Sequence, residues 1–295
     1  MESQISFSPL IVGCMRLGVW GSKMNTKELE AFIENCLAMG LKDFDHADIY
    51  GHYTTEEEFG KVLKNRPDLK DKIQITTKCG INLVTPNRPG IKIKSYNASK
   101  NHILTSAENS LKFLSVEQID LLLIHRPDYL MNPAEIAEAF AELKQAGKVK
   151  YFGVSNFTTS QFDLLNTYTP LVTNQIEASL LQLDPFRDGS LEQCMKHKIR
   201  PTAWSPFGGG AVFGTSDNLQ IQRIQSVAQE LSTKHNASID QILLAWLLKH
   251  PSGIIPVLGT SKVKRIKTAL GALSIQLTHE EWYELWQAST GVEVP

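Results

Sequence analysis

Apolar positions along the chain fall into two repeating patterns. One is a stripe at helical spacing: Leu29, Phe32, Ile33, Cys36 and Leu37 recur at i, i+3, i+4, i+7 and i+8. Thr26 precedes this stripe as the predicted N-cap, and Gly40 follows it as a stop. Ile239, Ile242, Leu243 and Trp246 form a second stripe; Val263, Ile266 and Leu270 form a third. Pro133 opens another before Ile136, Phe140 and Leu143, with Gly147 at its end. The other pattern is the short apolar run. Strand candidates lie at 10–13, 42–45, 73–77, 120–124, 151–155, 173–177, 200–205 and 254–257. Leu121, Leu122, Leu123 and Ile124 are apolar on both faces, as buried parallel strands are.

About eight strand-then-helix units predict an α/β fold, a (β/α)8 TIM barrel, as a single domain over residues 1–295. An open doubly wound sheet is the competitor. The uniform alternation, with no Pro/Gly/Ser-rich linker, favours the barrel. Two connections exceed a plain linker, 79–100 and 206–218, and both follow strands. The first carries Lys92, Lys94 and Tyr96, and is either a substrate lid or a solvated insertion.

Composition narrows the function classes. The chain carries 30 Lys+Arg against 31 Asp+Glu, so no basic excess points to nucleic acid. Cys14, Cys36, Cys79 and Cys194 are scattered without a CxxC pair, which argues against a disulfide framework or structural zinc and fits a reducing cytoplasm. The first ten residues lack a signal pattern. No apolar run approaches the ~18 residues of a membrane span. A monomer is compatible with these features.

In a barrel, polar residues at the strand ends converge on one mouth. Those positions hold Asp45 and Tyr50, then Lys78, His125, Ser155 and Asn156, Asn174 and Gln175, Trp204 and Ser205, and Thr260 and Ser261. Each alone has a structural alternative: Asp45 as a helix cap, His125 as a satisfied core histidine, Tyr50 as a wall residue. Together, a carboxylate, a phenol, an ammonium and an imidazole make an acid–base set. An ammonium near a phenol is expected to lower its pKa from near ~10. A carboxylate would hold the lysine. The imidazole would orient a carbonyl, and the phenol would protonate a developing alkoxide. No side chain supplies hydride, so a nicotinamide cofactor is implied. No GxGxxG follows a strand. Ser155, Asn156 and Gln175 can instead bond a carboxamide, and Trp204 offers a face to the ring. Gly208, Gly209 and Gly210 can bring backbone amides to a pyrophosphate. Ser261, Lys262, Lys264 and Arg265 are either an extra phosphate site or an exposed helix face.

These segments resemble the aldo-keto reductase superfamily over nearly the whole chain, and look like its bacterial oxidoreductase branch. The matching stretches are 44–51 (FDHADIYG), 75–80 (ITTKCG), 119–128 (IDLLLIHRPD), 147–157 (GKVKYFGVSNF), 174–180 (NQIEASL), 203–210 (AWSPFGGG) and 255–266 (IPVLGTSKVKRI). The resemblance implies a (β/α)8 barrel that binds NADPH and reduces aldehydes or ketones to alcohols. It implies Asp45, Tyr50, Lys78 and His125 as catalytic residues. It implies Ser155, Asn156, Gln175, Trp204, Ser205, Gly208, Gly209, Gly210, Thr260, Ser261, Lys262 and Arg265 for the cofactor. Trp20 and Phe207 are expected against substrate, with Met131 and Phe186 as further apolar lining. Thr260 stands where many members have lysine, and Thr268 and Ala269 replace an acidic-then-Asn pair. The N-terminal hairpin common in the family is only hinted at by residues 5–7. Arg126 either pairs with Asp128 or meets an anionic substrate. Two other readings compete. One is an NADPH-binding accessory or sensor protein with little turnover. The other is a metal-dependent hydrolase using Asp45, His46, Asp48 and His52. His46 should alternate in direction with Asp45, so no metal is expected.

Overall fold

Eight parallel strands close into a barrel in the computed structural model, which describes residues 5–295. In chain order the elements are β1 (Ile11–Gly13), α1 (Thr26–Ala38), β2 (Asp43–Asp45), α2 (Tyr50–Tyr53), α3 (Thr55–Asn65), β3 (Gln74–Cys79), β4 (Ile81–Asn82), β5 (Ser95–Tyr96), α4 (Lys100–Leu114), β6 (Ile119–Ile124) and α5 (Pro133–Gln145). There follow β7 (Val149–Ser155), α6 (Thr159–Asn166), β8 (Asn174–Glu177), α7 (Ser190–His197), β9 (Thr202–Trp204), α8 (Leu219–Lys234), α9 (Ile239–Leu248), β10 (Ile255–Leu258), α10 (Val263–Leu270) and α11 (His279–Thr290). The strand order is β1-β10-β9-β8-β7-β6-β3-β2. Each barrel strand therefore lies beside the one before it in sequence, as right-handed βαβ units require. The open doubly wound sheet is excluded by this closure.

Packing divides the chain into two compact parts. The first holds residues up to 175 with 259–261; the second holds 176–258 with 262–295. In the first, the register pairs Asp45 with Thr76, Lys78 with Leu123, and Ser155 with Gln175. Phe44 packs on Phe59 at 5.4 Å, and Phe140 stacks on Phe152 at 4.1 Å. Gly60 lets α3 approach α4: a Cβ there would meet the Phe113 carbonyl oxygen at 1.9 Å. In the second part, Trp246 and Trp282 stack at 5.0 Å and exchange indole N–H bonds to each other's carbonyls, at 3.1 and 3.0 Å. Phe186 closes this cluster 4.9 Å from Trp246.

Several boundaries differ from the sequence reading. Asn25, not Thr26, caps α1, because its carboxamide accepts from Lys27 and Glu28 while Glu28 answers to the Asn25 N–H. β3 runs on to Cys79, so Lys78 lies inside a strand rather than after it. The 79–100 connection is not an irregular loop: β4 and β5 pair antiparallel, with Ile81 opposite Tyr96 and Asn82 opposite Ser95. Residues 5–7 form no strand. No helix among the described residues is long and apolar enough to cross a membrane.

Candidate active site

β2 and β3 bring Asp45 and Lys78 to one end of the barrel wall. Asp45 is 3% exposed and Lys78 is 1% exposed, so each is costly to bury without the other. The Lys78 Nζ donates to Asp45 Oδ1 at 2.5 Å, to the His46 carbonyl at 2.7 Å and to Tyr50 Oη at 3.2 Å. All three ammonium protons are thus satisfied. Burial disfavours the charge on Lys78, but Asp45 and Tyr50 outweigh it and hold the pKa above the ordinary value. The second Asp45 oxygen accepts from Gln175 Nε2 at 2.8 Å. Linear reasoning assigned Gln175 to a carboxamide and missed this bond, because the two residues lie 130 positions apart.

Tyr50 sits at the start of a left-handed turn. Gly51, His52 and Tyr53 have φ of 59°, 60° and 69°. Such backbone is costly outside glycine and persists only where its surroundings hold it. Here they do. The His52 carbonyl accepts from Asn87 Nδ2 at 2.8 Å, and its Nδ1 lies 3.1 Å from Thr85 Oγ1. The Tyr53 hydroxyl donates to the Ile81 carbonyl at 3.2 Å and accepts from the Leu83 N–H at 3.0 Å. Trp20 flanks the turn, its ring 6.3 Å from Tyr50 and 5.2 Å from His52.

The expected lowering of the Tyr50 pKa is corrected by the structure. Burial raises it, Lys78 opposes that rise, and the net direction is upward. The phenol is therefore a stored proton rather than a phenolate. His125 follows β6, its ring 6.1 Å from that of Tyr50 and nearly perpendicular at 81°. Burial lowers its pKa well below the ordinary value, with Lys78, Arg126 and Lys94 adding to the effect. The imidazole is neutral.

Ser155 ends β7 and Asn156 follows it. Ser155 Oγ donates to the Gln175 carbonyl at 3.0 Å, and Asn156 Nδ2 donates to Ser155 Oγ at 2.7 Å. The structure thus gathers Asp45, Tyr50, Lys78, His125, Ser155, Asn156, Gln175 and Trp20 within the first compact part. Thr260 and Ser261, half-buried, belong to the same part. His46 stands apart from the set. It packs edge-on against Phe59 at 4.5 Å, and burial holds its pKa down to about 3. Among the described residues no three His, Cys, Asp or Glu side chains gather as metal ligands.

In the second part, half-buried Trp204 ends β9 and Ser205 adopts a left-handed φ of 52°. The glycine run is a tight turn, with the Gly208 N–H bonded to Ser205 and the Gly210 N–H to Phe207. Two of the three glycine amides expected to face a pyrophosphate are thus spent within the turn. A Cβ at Gly209 or Gly210 would meet nothing within 4 Å, so the outer side of the turn is open. Phe207 packs on Phe213 at 5.1 Å, and Phe186 belongs to the tryptophan cluster. Lys262 precedes α10 and Arg265 lies in its first turn, both exposed.

Sequence reasoning missed Glu56. It is 3% exposed on α3 and joins two neighbours, accepting from Thr77 Oγ1 at 2.5 Å and Ser110 Oγ at 3.0 Å. Its spacing with Phe59, Gly60 and Leu63 was the available signal, since it places a carboxyl on the buried stripe. Burial pushes its pKa from 4.5 up to about 7. The raised value means that its contribution is full below about pH 4.5 and is lost as pH rises through about 7. The wild type is expected to lose roughly 3 kcal/mol relative to Glu56→Gln across that window. Urea midpoints at several pH values check this; parallel pH profiles for the two proteins would contradict it.

Residues 9–289 match the Aldo/keto reductase family. The chain belongs to this family. It is an oxidoreductase by that membership, and aldo/keto reductases use nicotinamide cofactors. It is 44% identical to the uncharacterized oxidoreductase YcsN of Bacillus subtilis (strain 168), over 100% of this chain and 98% of that protein. It is 40% identical to a 6-dehydroglucose reductase of Agrobacterium fabrum, over 100% and 98% of the respective chains. Among solved structures it resembles the thermostable aldo-keto reductase Tm1743, crystallised with the inhibitor epalrestat. The TM-score is 0.78 and the identity 29%, covering 96% of this chain and 95% of that one.

Proposed function

We propose that this aldo/keto reductase reduces aldehydes or ketones to alcohols with NADPH. The observation that carries the reading is the buried Lys78 ammonium bonded to both Asp45 and Tyr50, with a neutral His125 ring facing the phenol. The substrate carbonyl oxygen accepts hydrogen bonds from Tyr50 Oη and from the imidazole N–H of His125. Bound nicotinamide supplies the hydride for the carbonyl carbon. As negative charge builds on the oxygen, Tyr50 releases its proton there, and Lys78 stabilises the phenolate left behind. Asp45, held by Gln175, keeps Lys78 charged and in place. Solvent then returns a proton to Tyr50.

The donor set suits a nicotinamide dinucleotide. Ser155, Asn156 and the Gln175 carbonyl oxygen of the side chain provide carboxamide partners. Trp204 and Ser205 are assigned to the nicotinamide ring, and the open side of the turn at Gly209 and Gly210 admits a close backbone approach. Ser261, Lys262 and Arg265 are assigned to the 2′-phosphate, with Thr260 beside them. The complete proton-handling set gives no support to a non-catalytic NADPH binder. The 6-dehydroglucose reductase among the relatives is named for reducing a carbonyl, which agrees with this direction.

A fluorescence titration with NADPH and with NADH, read through the tryptophans, tests the cofactor assignment. NADPH is expected to quench at lower concentration. Arg265→Ala is expected to weaken NADPH by about tenfold, the scale of one charge-assisted bond, and NADH much less. Equal losses for both cofactors would remove Arg265 from the site, and absence of quenching by either would remove the redox reading.

A further inference from the structure

Gln175 is 3% exposed, and its main chain is fixed by its neighbours. Its carbonyl accepts from the Asn156 N–H at 2.9 Å and from Ser155 Oγ at 3.0 Å. The adjacent Asn174 side chain donates to the Phe157 carbonyl at 2.9 Å. β8 is thereby tied to the end of β7 and the stretch after it. What remains to be set is the sense of the Gln175 amide, which is a donor at one end and an acceptor at the other.

Asp45 settles that sense. A carboxylate only accepts, so the amino end of Gln175 must be the one that meets it. Gln175 Nε2 donates to Asp45 Oδ2 at 2.8 Å. The reversed amide would set oxygen against oxygen between two buried residues and forfeit the bond. Asp45 has no freedom to turn away, because its Oδ1 accepts from the Lys78 ammonium. The consequence lies at the other end of the amide. Gln175 Oε1 bonds to no described residue, yet it is not sealed from solvent. An acceptor is thus held open in the barrel wall, on a side chain whose donor is engaged. That arrangement selects a ligand N–H over a ligand oxygen. Tyr50, Lys78, Asp45 and Gln175 form one hydrogen-bonded chain that ends on this acceptor.

We propose that Asp45 is a positioning residue for the cofactor: through Gln175 Nε2 it fixes the amide so that Oε1 receives the amino group of the nicotinamide carboxamide. This deepens the NADPH reading above and rests on it. In this role Asp45 acts through Gln175 and needs no contact with the cofactor. Its two oxygens then have separate tasks. Oδ1 holds the ammonium behind the proton donor, and Oδ2 sets the acceptor for the group that carries the hydride.

The test reads binding rather than turnover. Tryptophan fluorescence titrations compare NADP+ with its 3-acetylpyridine analogue, in which a methyl replaces the carboxamide amino group. The wild type is expected to bind NADP+ about five- to tenfold more tightly, the scale of one buried hydrogen bond. In Gln175→Met that ratio should fall to about one. Asp45→Asn should also lower it towards one or invert it. The new amide can donate to Gln175 Oε1 and so turn Nε2, a donor, towards the ligand. A role for Asp45 in folding alone would weaken both dinucleotides alike and leave the ratio unmoved.

A urea transition shows whether Asp45→Asn folds. If it does not, the double variant with Lys78→Met carries the same expected fall in ratio. A ratio near one in the wild type overturns the proposal, as does a wild-type ratio that persists in the Asp45 variants. In either case the binding of both dinucleotides leaves the cofactor assignment standing. Failure of the wild type to bind either one removes that assignment and the proposal with it.

Discussion

Tyr50→Phe is expected to lower carbonyl reduction by about 10²–10⁴-fold, the range for loss of a positioned proton donor. Only the hydroxyl is removed. The ring stays between Trp20 and Lys78, whose ammonium lies 5.1 Å from its centroid, so the cofactor titration should remain close to that of the wild type. The pH profile carries the same argument. Burial holds the Tyr50 pKa above its ordinary value of 10.0, so the phenol keeps its proton through neutrality. Reduction is expected to fall on the alkaline side, where the phenol ionises and has no proton to give. Steady-state rates against pH, with the variant beside the wild type, check both parts. Unchanged turnover in Tyr50→Phe would remove it as the donor.

Lys78→Met is expected to damage both activity and fold. Met replaces the ammonium by an apolar group of similar reach, and Asp45 is left buried with Gln175 as its remaining side-chain partner. Breaking one side of a buried ion pair costs about 3–5 kcal/mol, because the surviving charge has lost its counter-ion. A urea transition reads that loss. Activity alone would then be ambiguous, since an unstable protein turns over slowly for trivial reasons. The double variant Lys78→Met with Asp45→Asn separates the two effects. It removes the orphaned charge and is expected to regain most of the stability, while carbonyl reduction stays absent. Recovery of turnover along with stability would show that Lys78 matters to the fold and not to the chemistry.

The barrel is legible in the sequence because its strands are short apolar runs separated by amphipathic stripes, and both patterns follow from local geometry. Boundaries are less so. Asn25 and Thr26 are both good caps, and the reciprocal bonds between Asn25 and Glu28 decide between them. Asp45, Tyr50, Lys78 and His125 stand out as polar residues at the ends of apolar strands. What they do to one another does not. The direction of the Tyr50 shift depends on how completely the phenol is buried, and no local pattern encodes that. Gln175 reads as a ligand-binding amide until Asp45 is seen beside it. Glu56 hides because three consecutive glutamates look like a solvated helix start, although one of them faces inward.

The left-handed turn at residues 51–53 limits how the molecule can diversify. Four hydrogen bonds that support it come from the strand β4 and the stretch just after it, through Ile81, Leu83, Thr85 and Asn87. The excursion that presents Lys94 outward is therefore also the brace behind the phenol. A graft that replaces all of 81–96 with another reductase's loop would release the turn and let the phenol drift. One that keeps 81–88, including Arg88 with its guanidinium 4.8 Å from the Tyr53 ring, and exchanges only the segment around 89–94 would leave the brace in place. Selection for new substrates should accordingly fall on the far half of the hairpin, with the near half held constant by the chemistry it supports.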